Sequence, residues 1–280
     1  NNHGSAGGGI AVGSQSSISL SLVEITGNSA DAEGGGFHSW DSEANLSFNH
    51  VTIANNVAQG YGGGGMHIHR GPNVDIKNSN IANNAPDQIY FDNEESLNIV
   101  CSATFEHNNI QGNQDSIIIA YSELTTINWG SGNIDVDPMF VDTANGNYHL
   151  LASSQLINAG DPDSTDSDGT VADIGAYPYL NSYSGPIWYI TESGNDTTAT
   201  GASGDPFRSI QAGINFATTD GDSVTVTAGT YVENINWRNV NGIKLIGSGV
   251  ENCIIDGGQI SNVITIGNSN MGWGLIDTST

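Results

Sequence analysis

A repeat of about 28 residues runs through the first 113 residues and limits the possible folds more than any other feature. Three glycine runs each end in an apolar residue: GGGI at 7–10, GGGF at 34–37 and GGGM at 63–66. Four tetrads recur at spacings of 28, 28 and 29 residues, namely ITGN at 25–28, IANN at 53–56, IANN at 81–84 and IQGN at 110–113. A fixed period of this length is typical of stacked repeat architectures.

Each repeat contains short runs in which apolar and polar residues alternate, such as SISLSL at 17–22, and this pattern indicates strands with one buried face. No helical period lies between the runs, so the strands are expected to be parallel and stacked by coiling. The sequence therefore predicts an all-β parallel β-helix. Aligning the tetrads yields three columns of like residues: Ile18, Leu46 and Val74; Leu20, Phe48 and Ile76; and Ile25, Ile53, Ile81 and Ile110.

Polar residues also recur in phase. The last residues of the tetrads, Asn28, Asn56, Asn84 and Asn113, can hydrogen-bond along the stack, and asparagine tolerates the left-handed backbone of a sharp corner. His50, Asn78 and His107 form a second polar column, which we interpret as structural.

The charge balance excludes some partners. Thirty acidic residues face five basic ones, and the formal net charge of -25 repels nucleic acid and anionic lipid. No apolar run approaches the roughly 20 residues that span a bilayer, so neither nucleic-acid binding nor membrane insertion is expected. Cys101 and Cys253 are far apart in the sequence and are expected to be isolated thiols.

The ladder of residues 1–120 resembles the right-handed parallel β-helix of the pectin-lyase-like superfamily, in its bacterial cell-surface, repeat-rich branch. Residues 132–179, which include NAGDPDSTDSDGTVADIGAY, resemble the segment that closes such helices in secreted bacterial proteins. Asn158 and Leu156 depart from that pattern, where an acid and a cysteine are usual. We expect this segment to cap the last turn, because an open stack exposes strand edges and core.

Residues 188–280 resemble the opening of a second β-helix of the same superfamily. A capping α-helix is predicted from Pro206 to about Thr218, with Asp205 as its N-cap. The domain prediction is thus 1–132 for the C-terminal turns of a first β-helix, 133–180 for the closing segment, 181–187 for a linker, and 188–280 for the cap and first turns of a second. Because the chain begins in mid-repeat and stops in an unfinished stack, we expect a piece of a tandem array or a filament protomer.

An acidic loop is a candidate calcium site. Oxygen ligands at alternating positions before Gly169 suit Ca²⁺, although Ser164 stands where the first acid of a strict loop would be and no bidentate Glu follows. The alternative is a solvated turn whose aspartates cap backbone amides. The candidate ligands are Asp161, Asp163, Asp166, Asp168 and Asp173.

The outer face of one sheet is a candidate for recognition. If Phe37, Met66 and Ile89 point inward, strand alternation sends their neighbours outward, and adjacent strands lie about 4.8 Å apart. Aromatic faces and imidazoles suit sugar rings or a divalent metal, although such ladders also stabilise a sheet without a ligand. The predicted carbohydrate- or metal-binding patch is His38, Trp40, His67, His69, Tyr90 and Asp92, beside Arg70.

Enzymes of the superfamily are polysaccharide lyases and glycoside hydrolases, which need a base with cations or a pair of carboxylates. We assign no catalytic residue. The chain is expected to be a structural or adhesive protein, extracellular or at a bacterial cell surface, that associates head to tail into a fibre, sheath or stalk. The alternative is a carbohydrate-binding or polysaccharide-degrading module. Calcium is the one cofactor considered.

Overall fold

The computed structural model describes residues 1–13, 16–40, 45–70, 73–93, 100–238 and 240–267. It divides into two compact units, the first comprising Asn1–Leu150 and Gln155–Leu180 and the second Leu151–Ser154 and Asn181–Thr280. The predicted fold class is confirmed, because parallel sheets stack into a β-solenoid and one α-helix is found in the described ranges. The unfinished turn predicted near Thr280 lies outside the described residues.

The first unit consists of short strands joined by tight corners. Among the described residues, 3₁₀ helices accompany them at Asn113–Ser116, Ser122–Leu124 and Thr143–Asn145. The strands are β1 His3–Ala6, β2 Ile10–Val12, β3 Ile18–Thr26, β4 Ser29–Glu33, β5 Phe37–Ser39, β6 Asn45–Ala54, β7 Val57–Ala58, β8 Met66–His69, β9 Asn73–Lys77, β10 Asn80–Ala82, β11 Ile89–Asp92, β12 Cys101–Glu106, β13 Asn109–Ile110, β14 Ile117–Ile119, β15 Thr125–Trp129, β16 Phe140–Asp142 and β17 Asn147–Leu150.

Three parallel sheets form the walls of this solenoid. They run in the orders β1-β4-β7, β2-β5-β8-β11-β14 and, for the third, β13-β10-β6-β9-β12-β15 with β3 also paired to β6. The predicted columns are confirmed as registers: Leu46 pairs with Ile18 and Val74, and Ile53 pairs with Ile25 and Ile81. Their side chains fill the interior, and its largest residues, such as Phe37 and Phe48, are fully buried.

A ladder of buried amides runs beside this core. The Nδ2 atoms of Asn28 and Asn56 donate to the Oδ1 atoms of Asn56 and Asn84 at 3.1 and 3.0 Å, and Asn84 donates to Gln88 at 2.9 Å. The glycine runs make room for it, because a Cβ at Gly36 would lie 2.7 Å from the Gly65 carbonyl oxygen and 2.9 Å from Asn56 Nδ2. The ladder prediction is therefore confirmed for its first three members, whereas Asn113 is exposed and opens a 3₁₀ helix.

The corner prediction needs a correction of one residue. The prediction holds at Asn113, whose φ is 55°. In the other three tetrads the left-handed residue is Gly27, Asn55 or Asn83, immediately before the ladder asparagine, because that asparagine must point its amide inward. The second polar column is left-handed as well, with φ of 53° at His50, 49° at Asn78 and 53° at His107. These residues turn the chain, in agreement with the structural interpretation.

Parts of the segment from 133 to 180 hydrogen-bond to the polar corners of the first unit. Ala176 N donates to Thr52 Oγ1 at 3.0 Å, Gly175 N donates to the Asn78 carbonyl at 2.8 Å, and Asn55 Nδ2 donates to the Tyr148 hydroxyl at 2.9 Å. The expectation that this segment caps the last turn stays a prediction. Its start pairs with the turn at Asn109 through Ile134, and its later part contacts the polar corners at Thr52 and Asn78.

The second unit contains α1 and the last seven strands. The helix is shorter than predicted: Ser209, not Asp205, is its N-cap and accepts from Ala212 N, because Phe207 is held in an extended segment beside Tyr189. Residues 181–187, predicted as a linker, fall within this unit, and Ile187 begins β18. Its elements are β18 Ile187–Ile190, α1 Ile210–Phe216, β19 Ser223–Val226, β20 Gly229–Val232, β21 Ile235–Trp237, β22 Lys244–Gly247, β23 Cys253–Asp256 and β24 Ile264–Ile266.

The two cysteines are both thiols, as expected, and burial raises the pKa of Cys101 to about 12. None of the described helices has the length and apolar character needed to cross a membrane.

Candidate functional site

The predicted patch lies on the sheet formed by β2, β5, β8, β11 and β14. Its register follows the prediction, because His67 pairs with His38 on one side and Tyr90 on the other, and His69 pairs with Asp92. These strands contain only three or four residues each, so the aromatic and imidazole residues fall into two adjacent columns.

The rings of these columns are in contact. The His67 ring centre lies 5.5 Å from that of His38, 5.0 Å from that of Tyr90 and 6.3 Å from that of His69. Trp40 lies 4.8 Å from His69 and 5.7 Å from His38, and the Arg70 guanidinium lies 5.4 Å from its ring centre. We call this group of His38, Trp40, His67, His69 and Tyr90 the ring cluster.

Only part of the ring cluster reaches solvent, which corrects the prediction of one exposed patch. His38 and His67 are buried, at 3% and 0% exposure, whereas Trp40 is 44% exposed. Tyr90 lies against the loop that precedes β8, where a Cβ at Gly62 would come within 2.8 Å of its ring, and Tyr61 beside it is 74% exposed. The accessible face therefore consists of Trp40 and Tyr61 with the half-buried His69, Tyr90 and Asp92.

Carboxylates border the ring cluster, and two of them were missed from the sequence. Glu33 Oε2 lies 3.1 Å from His38 Nε2, and Asp92 Oδ2 lies 3.9 Å from His67 Nε2. Asp87 Oδ1 accepts a hydrogen bond from Gly63 N at 2.6 Å. Glu33 could have been identified from the sequence as the acid directly before the second glycine run, because that run leads into β5 of the same sheet.

Burial is the main cause of the pKa shifts of these groups. It lowers the pKa of His67 to about 3, with help from His38 and His69, while a weak backbone interaction with Gly62 opposes it. Burial also lowers the pKa of His38 and of His69. Burial raises the pKa of Glu33; the nearby His69 opposes this shift, and the negative charge of Asp92 adds to it. The imidazoles are therefore neutral near pH 7, and the carboxylates are not balanced by imidazolium.

His67 is unusual among the buried polar groups. Neither of its ring nitrogens makes a hydrogen bond of acceptable geometry within the described part of the chain, although both are inaccessible to solvent. A buried polar atom without a partner costs about 1–3 kcal/mol. Such groups are rare in native structures and often mark a place where water or a ligand supplies the missing bond.

The acidic loop has the geometry of the capped turn. Asp173, which is 2% exposed, accepts from Asn158 N at 2.6 Å and Tyr179 N at 2.7 Å. Asp166 accepts from Asp173 N at 2.9 Å, and Asp168 accepts from Thr170 N at 3.1 Å.

Asp161 and Asp163 complete the same loop. Asp161 Oδ2 lies 2.6 Å from Lys77 Nζ, and its Oδ1 accepts from Asp163 N at 3.0 Å. Asp163 itself is exposed. In the described residues no set of three or more His, Cys, Asp or Glu side chains is arranged to hold a metal ion. The contacts thus favour the capping alternative over the calcium loop.

No family model, curated protein or solved structure matches this chain. The β-solenoid is observed directly, whereas the resemblance to the pectin-lyase-like superfamily stays a prediction from the sequence.

Proposed function

We propose that this chain is a structural and adhesive protein whose first solenoid holds a glycan-binding surface in a rigid position. An extracellular or cell-surface location in a bacterium belongs to the same proposal. The observation that carries it is the run of rings from Trp40 through His38 and His67 to Tyr90, stacked across three successive strands with Trp40 open to solvent.

Rings presented in this way suit sugars. Aromatic faces pack against the apolar faces of pyranose rings, and Tyr and Trp combine a large apolar surface with a polar tip. Trp40 is held by His38 and His69, so it loses little side-chain entropy on binding. The amide ladder stabilises the corners behind the sheet, which supports a surface of constant shape.

The test is a titration of the purified chain with soluble neutral oligosaccharides, followed by calorimetry. Trp40→Ala is expected to weaken binding about tenfold or more, because buried aromatic anchors contribute most to binding energy. Trp237→Ala, in a half-buried tryptophan of the second unit, is the matched control and should bind normally. Absence of binding across the panel, or binding that Trp40→Ala leaves unchanged, would overturn the proposal.

A second candidate function is self-association into a filament. The observation that favours it is a group of exposed aliphatic side chains on the last described strands and loops: Val232 at 66%, Val250 at 95%, Ile260 at 83% and Ile266 at 77%. Exposed apolar groups of this extent often mark interfaces. Electron microscopy and sedimentation would show concentration-dependent filaments, which Val250→Asp with Ile260→Asp should abolish; a strictly monomeric chain would end this candidate.

A further inference from the structure

The charged groups around the ring cluster indicate which class of sugar it would bind, because most of them are acidic. Burial raises the pKa of Tyr90, and the negative charges of Asp92, Asp87 and Glu33 add to that effect. Arg70 is the basic side chain at the ring cluster, and it lies against the Trp40 face. An anionic glycan such as a uronate polymer would be repelled here.

We propose that the ring cluster binds an oligosaccharide of amino sugars whose amino groups are free and protonated. The proposal rests on the glycan-binding function above and names its ligand class. In this arrangement Trp40 or Tyr90 stacks on a sugar ring, and the ligand ammonium lies between Glu33 and Asp92.

Three independent features support a cationic ligand. The carboxylates provide charge-assisted acceptors, which make stronger hydrogen bonds than neutral groups. The Trp40 face already holds a guanidinium at 5.4 Å, so this aromatic surface attracts cations. Finally, the three histidines have lowered pKa values and add no positive charge that would compete.

The buried His67 points to a ligand independently of the charges. It lies at the centre of the ring cluster, 3.9 Å from Asp92, with both nitrogens unpartnered in the described ranges. A neutral imidazole offers one donor and one acceptor. Because both nitrogens are closed to solvent in the unbound protein, a ligand hydroxyl would satisfy this group only where binding shifts the rings that cover it.

The experiment compares three β-1,4-linked hexasaccharides of equal length with the full chain: one of glucosamine, one of N-acetylglucosamine and one of glucose. We expect the glucosamine hexamer to bind about tenfold more tightly than the two neutral ones, with an affinity that falls as salt is added. Asp92→Asn should remove most of that advantage. Asp135→Asn, at an exposed acid elsewhere in the first unit, is the control and should keep it.

The outcomes separate the two proposals. If all three hexamers bind equally and Trp40→Ala abolishes the binding, the glycan-binding function stands and the amino-sugar assignment is wrong. If the glucosamine hexamer binds equally well to Trp40→Ala and Asp92→Asn, its binding reflects the net charge of the chain, and the assignment is again wrong. If no hexamer binds, both proposals are overturned.

Discussion

Asn56 Nδ2 donates to Asn84 Oδ1 across 3.0 Å, although 28 residues separate the two in the chain. The same Asn56 amide also donates to the Ile25 carbonyl at 2.8 Å, and its Oδ1 accepts from Asn28 N at 2.9 Å. One side chain thus joins three consecutive turns of the solenoid. Asn56 is fully buried, so water cannot reach these polar groups and the hydrogen bonds satisfy them instead.

Replacing Asn56 with Ala should destabilise the first unit strongly. The change removes these bonds and leaves the Ile25 carbonyl and the Asn28 amide buried without partners, so we expect a loss of roughly 3–5 kcal/mol in the free energy of unfolding. Urea unfolding followed by far-UV circular dichroism measures it. Asn73→Ala is the control, because Asn73 is exposed and makes a longer bond of 3.3 Å to Asn45, and its effect should stay within about 0.5 kcal/mol. Equal effects of the two substitutions would contradict the role of the ladder.

The repeat pattern predicted the fold well, because stacking repeats the same environment every 28 residues. Once the tetrads are aligned, Ile25 must lie beside Ile53, and the observed register follows. The position of the closing segment could not be predicted in this way. Its contacts to Thr52 and Asn78 occur once, involve backbone groups and leave no periodic signal in the sequence.

The candidate site was predicted in part. Strand alternation identified which side chains leave the core, and His38, His67 and Tyr90 do lie in one column. Strand alternation predicts which side chains point away from the core but not which residues cover them, so the burial of His67 was not predicted. Glu33 was missed because it belongs to a different sheet and approaches His38 only through the corner.

The acidic loop should respond to substitution of a capping aspartate and not to calcium. Asp173 accepts from two backbone amides, and an asparagine there would turn an amide donor toward one of them, so Asp173→Asn should cost roughly 1–3 kcal/mol. The exposed Asp163→Asn is the control and should be close to neutral. Neither a chelator nor added Ca²⁺ is expected to shift the melting temperature; a drop on chelation that calcium reverses would favour the calcium loop instead.

The ion pair between Lys77 and Asp161 should stabilise the first unit between about pH 4 and pH 10. Hydrogen bonding to Lys77 lowers the pKa of Asp161 below 3.8, and the same bond raises the pKa of Lys77 above 10.5. The aspartate contribution is present above its unfolded pKa and is lost as pH falls through the folded value. The lysine contribution is present below its unfolded pKa and is lost as pH rises through the folded value.

Lys77→Met tests this pair. The difference in unfolding midpoint between wild type and variant should be largest near pH 6, should shrink at pH 2 and should decrease in 1 M salt. A difference that is the same at pH 6 and pH 2 would show that Lys77 acts through packing of its side chain and not through its charge.

His67 should make the first unit sensitive to mild acid. Its pKa is about 3 in the folded protein against 6.5 in the unfolded chain, so below pH 6.5 the unfolded chain binds a proton that the native state excludes. Its contribution to stability is therefore constant above pH 6.5 and falls by about 1.4 kcal/mol per pH unit down to about pH 3. His38 and His69, with lowered pKa values, add smaller slopes of the same sign.

His67→Gln isolates this effect, because glutamine keeps a polar side chain but does not titrate. We expect the variant to lose less stability than the wild type on going from pH 6.5 to pH 4, by up to about 3 kcal/mol. Urea unfolding of the two proteins at half-unit intervals of pH measures the two slopes. Parallel pH profiles for His67→Gln and the wild type would mean that the His67 ring gains a proton in the folded state as readily as in the unfolded one, and its buried, neutral position would then be wrong.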